Sequence, residues 1–278
     1  MTAPPIRTQQ FWKSVRSNAV NSQRVVAIAN QKGGVGKTTT AVNLGASLAA
    51  SGLRTLIIDL DPQGNASTGV GCHPSNRNHS SYDLLSGRFS LSESAARTGI
   101  ENLSLVSSTP DLSSADIDFA SRKDRINLLS NALRQGDSYD YVLIDCPPAL
   151  GLLTVNALVA AHSVLVPLQA EFYALEGLSQ LLMTVREVRQ NANPTLRVEG
   201  VVMTMYDGRN NLSQQVEADA RATLGELVYR SVIPRNVRIS EAPSHGLPVT
   251  IYDPSSTGSR AYQAMTAEFL SRQKEMCA

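Results

Sequence analysis

The stretch Asn30-Gln31-Lys32-Gly33-Gly34-Val35-Gly36-Lys37-Thr38-Thr39-Thr40 constrains the fold more than any other part of this chain. Before it runs Val25-Val26-Ala27-Ile28-Ala29, short, β-branched and uncharged, the pattern of a strand buried on both faces. After it Ala41, Leu44, Gly45 and Leu48 recur at helical spacing, which predicts a helix beginning at Lys37. The glycines between strand and helix let the backbone fold tightly and turn successive N–H groups inward. A nest of that kind at a helix N-terminus favours phosphate, because unpaired amides and the helix dipole both face it. Lys37 is then within reach of β- and γ-phosphates, and the Thr38 hydroxyl is placed to ligate Mg²⁺. The expected nucleotide cradle is Lys32, Gly33, Gly34, Val35, Gly36, Lys37, Thr38 and Thr39.

The usual phosphate-loop spacing, G-x-x-x-x-G-K-[ST], would place a glycine at Gln31, so the match is not strict. A second lysine, Lys32, stands directly before the paired glycines instead. In this form the stretch resembles the deviant Walker A loop of the ParA/MinD ATPases. The resemblance implies a P-loop NTPase fold, ATP and Mg²⁺ as ligands, and a homodimer that sandwiches the nucleotide. It also implies that Lys32 reaches across that dimer to the partner's phosphates.

From Arg24 onward short apolar runs alternate with helical patterns, the signal for an α/β fold with a mostly parallel central sheet and helices on both faces. Strands are predicted at 25–29, 54–59, 103–107, 139–145, 163–168 and 197–205, with 228–233 closing the set. The clearest helix is 173–190, where Leu175, Leu178, Leu182 and Val185 share a face before Asn193-Pro194. A helix at 259–272 ends the chain. Residues 62–81, rich in Gly, Ser and Asn, read as an exposed loop. Residues 1–23 read as a flexible arm with Arg7, Lys13, Arg16 and the pair Phe11-Trp12, too short to hold a helix-turn-helix. The expected organisation is that arm followed by one ATPase domain, 24–278.

Composition narrows the function classes. An apolar content of 42% with 18% charge is ordinary globular usage, and a formal charge of +1 argues against a chain coated throughout by polyanion while leaving room for a local basic patch. Cys72, Cys146 and Cys277 are far apart with no C-x-x-C pair, which argues against a disulfide framework or zinc site and suits a reducing cytosol. No apolar run approaches the ~20 residues of a membrane span, so no membrane partner is expected.

Two further stretches carry chemistry. The second strand ends Asp59-Leu60-Asp61-Pro62, at the sheet edge where ligands bind in open parallel folds. Asp59 and Asp61 alternate onto one side, predicted to face the phosphate loop, and Asp61 is placed to orient a water for in-line attack or to hold Mg²⁺ through one. In the resembling family the second aspartate of D-x-D-P-Q, matching Asp61, is the one linked to hydrolysis. The run Tyr141-Val142-Leu143-Ile144-Asp145 delivers Asp145 to the same edge, as a Walker B carboxylate that helps hold Mg²⁺. Cys146, a thiol at a strand end, is expected to be inert.

Base recognition is expected late in the sheet, at Pro234-Arg235-Asn236. Proline and the arginine stem offer a flat wall and the Asn236 amide matches an adenine edge; the family uses this segment around adenine. Arg209 and Arg238, each alone a surface charge, match arginines that the family uses for nonspecific double-stranded DNA binding after dimerisation.

The stretches 166–178 and 233–246 resemble the chromosomal ParA (Soj) group of partition ATPases. That resemblance implies a cytoplasmic, nucleoid-associated ATPase whose hydrolysis is stimulated by a ParB-like centromere-binding protein. A MinD-like membrane-associated ATPase would want a C-terminal amphipathic basic helix, and 269–278 is of mixed charge with few large apolar residues. A metal-cluster protein on the same fold would want interfacial cysteines in a Gly-rich context, which neither Cys72 nor Cys146 has.

Overall fold

A strand buried on both faces needs a helical layer on each side, and the computed structural model of the chain builds that arrangement. It describes residues 23–134, 139–171 and 174–275. In chain order the elements are β1 (Arg24–Ile28), α1 (Lys37–Ala50), β2 (Thr55–Asp59), α2 (Asn65–Gly69), α3 (Ser81–Ser86), α4 (Leu91–Ser94), β3 (Ala96–Arg97), β4 (Leu103–Val106), α5 (Ala115–Asp118) and α6 (Leu128–Arg134). There follow β5 (Tyr141–Asp145), α7 (Leu152–Ala160), β6 (Ser163–Gln169), α8 (Ala174–Asn191), β7 (Arg197–Thr204), α9 (Asn211–Leu224), α10 (Val237–Glu241), α11 (Val249–Tyr252) and α12 (Thr257–Glu275).

The strands form one seven-stranded sheet in the order β3-β4-β2-β5-β1-β6-β7. Its neighbours run parallel except for β3 against β4. Period-2 alternation divides the core between the two faces. Val26, Ile28, Ile57 and Leu143 pack under Leu44 and Leu48 of α1 and under Tyr262 and Phe269 of α12. Val25, Ala27, Ile58, Val142 and Ile144 pack against Leu158 of α7 and against Leu181 and Val185 of α8. Every position of β1, β2 and β5 is buried, so the centre of the sheet is wholly removed from water. No described helix is long and apolar enough to cross a membrane.

Three sequence expectations change. Residues 228–233 do not add a strand; Val228 makes an isolated bridge to Val201, and Pro234 just after the segment makes one to Tyr206. The reason is a competing acceptor: the N–H groups of Arg230 and Ser231 donate to the Glu268 carboxylate of α12, each at 2.8 Å, and leave the ladder. Within 62–81, Pro74 to Asn76 is exposed as expected, but α2 occupies Asn65–Gly69, and Gly64, Ala66, Ser67 and Val70 are buried. The edge strand β3 has no counterpart in the sequence reading, being two exposed residues without an apolar signal. On α8, Leu178 and Val185 are buried as the spacing predicts, while Phe172, Tyr173 and the Leu175 side chain lie outside the described residues. So do the arm through Asn21 and Ser22, with Phe11 and Trp12, and Cys277.

Candidate active site

The strand order decides which groups meet. β1 lies between β5 and β6, and β2 lies beside β5. Register sets Ile28 and Asp59 each opposite Asp145. The loop after β1, Asp59 and Asp61 at the end of β2 and the last residue of β5 therefore share the C-terminal edge of the sheet, where parallel α/β folds bind ligands.

The loop has the nest geometry. Gly34 and Gly36 stand at φ +73° and +86°, left-handed values that glycine adopts without strain. Gly36 is the N-cap of α1 and supplies no side-chain cap for the first-turn amides. Two side chains pin the loop from behind. Asn30 Oδ1 accepts from the Lys32 N–H at 3.0 Å while its Nδ2 donates to the Pro167 carbonyl at 2.8 Å. The Thr204 hydroxyl, at the end of β7, donates to the Val35 carbonyl at 2.8 Å.

Lys37 is buried beneath the loop, and its Nζ donates to the Lys32 carbonyl at 2.8 Å. Burial lowers its pKa, opposed by neighbouring charge, Asp145 foremost and Asp61 also. Lys32 forms an ion pair with Glu171, whose other oxygen accepts from Gln169 Nε2.

The carboxylates have unequal surroundings. Asp59 is consumed internally: Oδ2 accepts from Ser67 N–H and hydroxyl at 2.8 and 2.7 Å, and Oδ1 from the Asp61 N–H at 3.2 Å. Both of its oxygens are thus engaged by Ser67 and Asp61. Burial pushes its pKa up to about 6 against those hydrogen bonds. Asp61 is nearly buried, with Oδ1 accepting from the Gln63 N–H at 3.0 Å. Asp145 is fully buried, and neither of its oxygens has a hydrogen-bond partner among the described residues. Burial raises its pKa well above the usual carboxylate range, followed by the charge of Asp59; the Thr38 hydroxyl, close by but short of hydrogen-bond geometry, opposes the shift. Two orphaned carboxylate oxygens beside a threonine hydroxyl and a lysine suit a hard cation shared with a phosphate. The described residues hold no cluster of three or more His, Cys, Asp or Glu, so any such cation would take much of its shell from water and phosphate. Burial pushes the pKa of the fully buried Cys146 thiol up.

Beside the loop a cleft is lined by Gly36, Thr39, Thr204, Pro234, Asn236 and Tyr262. Pro234 and Arg235 also border a second cleft with Arg209. Within the first, the Asn236 amide is already occupied. Its Oδ1 caps α10 by accepting from Arg238 and Ile239 N–H at 2.9 and 3.3 Å, and its Nδ2 donates to Thr257 Oγ1 at 2.8 Å. Arg209 projects into solvent, its side chain 91% exposed, and pairs with Asp207 at 3.1 Å. Arg238 pairs with Glu241 at 2.8 Å and with Asp253 at 3.4 Å.

The sequence reading gave no role to Asn30, Glu171 or Thr204. Asn30 carried a signal, as a buried-strand terminus ending in an amide two residues before the loop lysine; the other two act through tertiary placement alone.

Comparison with known proteins adds to this geometry. A family model described as an AAA domain matches residues 23–198. The chromosome partitioning protein ParA of Caulobacter vibrioides (strain NA1000 / CB15N) is 52% identical over 260 residues, 92% of this chain and 97% of that protein. The sporulation initiation inhibitor protein Soj of Bacillus subtilis is 49% identical over 248 residues, 88% of this chain and 97% of that protein. Among solved structures, cobyrinic acid a,c-diamide synthase from Mycobacterium smegmatis with bound ADP and magnesium matches with a TM-score of 0.76 and 39% identity, covering 88% of this chain and 92% of that one.

Proposed function

The chain belongs to the ParA/Soj family of chromosome-partitioning ATPases, and on that premise we propose that it binds Mg²⁺-ATP at the edge formed by β1, β2 and β5 and uses hydrolysis to switch its hold on DNA. The observation that carries the reading is the orphaned Asp145 carboxylate, buried beside Lys37 and Thr38 at the mouth of the phosphate nest.

In this reading the amides of Gly33 to Thr39 hold the phosphates and Lys37 exchanges the Lys32 carbonyl for a phosphate oxygen. Thr38, with Asp145 and Asp61 through water, would hold Mg²⁺. The bound cation would neutralise charge developing on the phosphate oxygens. Asp61 orients the attacking water, and its near-burial keeps that water few in neighbours. Pro234 and the Arg235 stem wall the base. The Asn236 side chain contributes by fixing the α10 N-terminus beside the base wall.

Two copies closing on ATP would bring Lys32 of each to the other's phosphates. The same closure would double the patch that holds Arg209 and Arg238, so a chain of formal charge +1 gains DNA affinity as a dimer. A ParB-like partner would stimulate hydrolysis and release the dimer from the nucleoid in the cytoplasm. The test is anisotropy of a labelled random-sequence duplex titrated with protein under Mg²⁺-ATP and under Mg²⁺-ADP. Binding with ATP alone, fading steeply with salt, is the expected result. Equal binding under both nucleotides would remove DNA from what the switch controls.

A further inference from the structure

Arg77 lies in the segment that reads from sequence as an exposed loop, and none of the roles above uses it. Its guanidinium is half-buried and spans three stretches of chain. Nη2 donates to the Gly64 carbonyl at 3.0 Å and to Thr68 Oγ1 at 2.8 Å. Nη1 donates to the Ser108 carbonyl at 2.9 Å, and Nε to the Cys72 carbonyl at 3.3 Å. Charged donors to carbonyl acceptors are among the stronger hydrogen bonds, and the planar fork fixes several at once.

What these bonds join is the turn that carries Asp61. The Asp61 carbonyl accepts from the Gly64 N–H at 2.9 Å and from the Ser108 hydroxyl. Asp59 holds the Asp61 N–H, and Ser67, which donates to Asp59, accepts from the Ser108 N–H at 3.0 Å. Asp61 is thus tied on its buried side through Asp59, Ser67 and Ser108. Arg77 closes the ring by bonding both the Gly64 and the Ser108 carbonyl. Gly64 leaves room for it: at φ +64° the residue is left-handed, and a Cβ there would stand 2.0 Å from Arg77 Nη1.

We propose that Arg77 is a positioning residue for the Asp61 carboxylate, holding the Asp61–Gly64 turn in place by bridging the Gly64 and Ser108 carbonyls. The inference rests on the ATPase reading above. It matters because a displacement of about 1 Å of a reacting group costs on the order of 10²-fold in rate. Among the described residues, the hydrogen bonds of Arg77 go to Gly64, Thr68, Cys72 and Ser108 rather than to the phosphate loop, so its loss should leave nucleotide affinity alone.

The experiment compares full-length Arg77→Ala, Arg77→Lys and Gly64→Ala with the parent chain. The readouts are ATP turnover, affinity for a fluorescent ATP analogue, and hydrogen exchange of the amides in 62–68. Arg77→Ala should lower kcat by about 10-fold or more at unchanged affinity, with faster exchange confined to that segment. Arg77→Lys should recover part of the rate. Gly64→Ala, which pushes the guanidinium out from the other side, should show the same split, and should cost less when added to Arg77→Ala than to the parent. Unchanged kcat and unchanged exchange in Arg77→Ala would overturn the proposal. So would equal losses in affinity, rate and melting temperature, which would mark Arg77 as a general stabiliser. Should the parent chain itself fail to turn over ATP, the proposed function falls, and exchange in 62–68 still decides whether Arg77 holds the turn.

Discussion

The Lys37 ammonium donates to the Lys32 carbonyl oxygen, five residues back along the same loop, at 2.8 Å. That bond keeps the lysine cation satisfied although it is buried. On the proposed reading, a phosphate oxygen would replace the Lys32 carbonyl as the acceptor of this ammonium.

Lys37→Ala is therefore expected to weaken ATP binding by about 10- to 100-fold, the equivalent of roughly 1.5–3 kcal/mol for a charged hydrogen bond. Titration with a fluorescent ATP analogue reads it directly. Parent-like affinity would take Lys37 out of the site.

Asp61→Ala should keep nucleotide affinity and lose turnover by about 10²- to 10⁴-fold, the range for removing a group that orients or accepts a proton. The ATP-bound form should then stay on DNA. Unaltered turnover in this variant would mean that another group positions the water.

Glu268 accepts two backbone N–H groups of the 228–233 segment and pairs with Arg272 at 2.8 Å. Glu268→Ala strands both amides and should cost about 2–4 kcal/mol. Urea denaturation at fixed pH measures the loss. A change within about 0.5 kcal/mol, typical of an inert surface site, would show that water replaces the carboxylate at no cost.

His162 gives a pH signature. Its Nδ1 accepts from the Val25 N–H at 2.9 Å, and burial, with the Arg24 charge second, lowers its pKa. The unfolded histidine, near its ordinary value of about 6.5, then binds a proton more readily than the folded one. Its contribution to stability is complete above that value and is lost as pH falls through it toward the folded pKa. Stability should decline from pH 7 to 5 in the parent chain and decline less in His162→Gln. Parallel declines would assign the slope to other groups.

Arg238→Glu should preserve nucleotide binding and abolish most DNA affinity, because the new carboxylate joins Glu241 and Asp253. The salt dependence should flatten by about one unit of slope for each phosphate no longer neutralised. Retained binding at moderate salt would place the DNA surface elsewhere.

Much of the site is legible in the sequence because its parts are local. The strand before the loop, the glycines within it and the helix after it each announce themselves by periodicity or residue type. Asp145 ends an apolar strand, and the parallel order brings it to the loop with no further information. The missing parts are pairings across the chain. Nothing near Lys32 signals Glu171, and nothing near Val35 signals Thr204. Arg77 looks like one more polar residue in a Gly- and Ser-rich run until α2 folds back beneath it. Residues 228–233 have strand composition, yet the Glu268 carboxylate outcompetes the ladder for two of their amides. Local pattern cannot show such a distant acceptor.

The strand order also sets a timetable for the nascent chain. Synthesis completes the phosphate loop by residue 40, but the strand that carries it is flanked by β5 and β6, which are made only at residues 141–145 and 163–169. Thr204, which bonds the Val35 carbonyl, and Pro234, which lines the adjoining cleft, come later still. A ribosome that has made the loop therefore holds a glycine-rich segment with no sheet beneath it, and closing those long-range pairings is slow and late. Products of stalled synthesis carry the motif without the site, and ATP can stabilise only a chain that is almost complete.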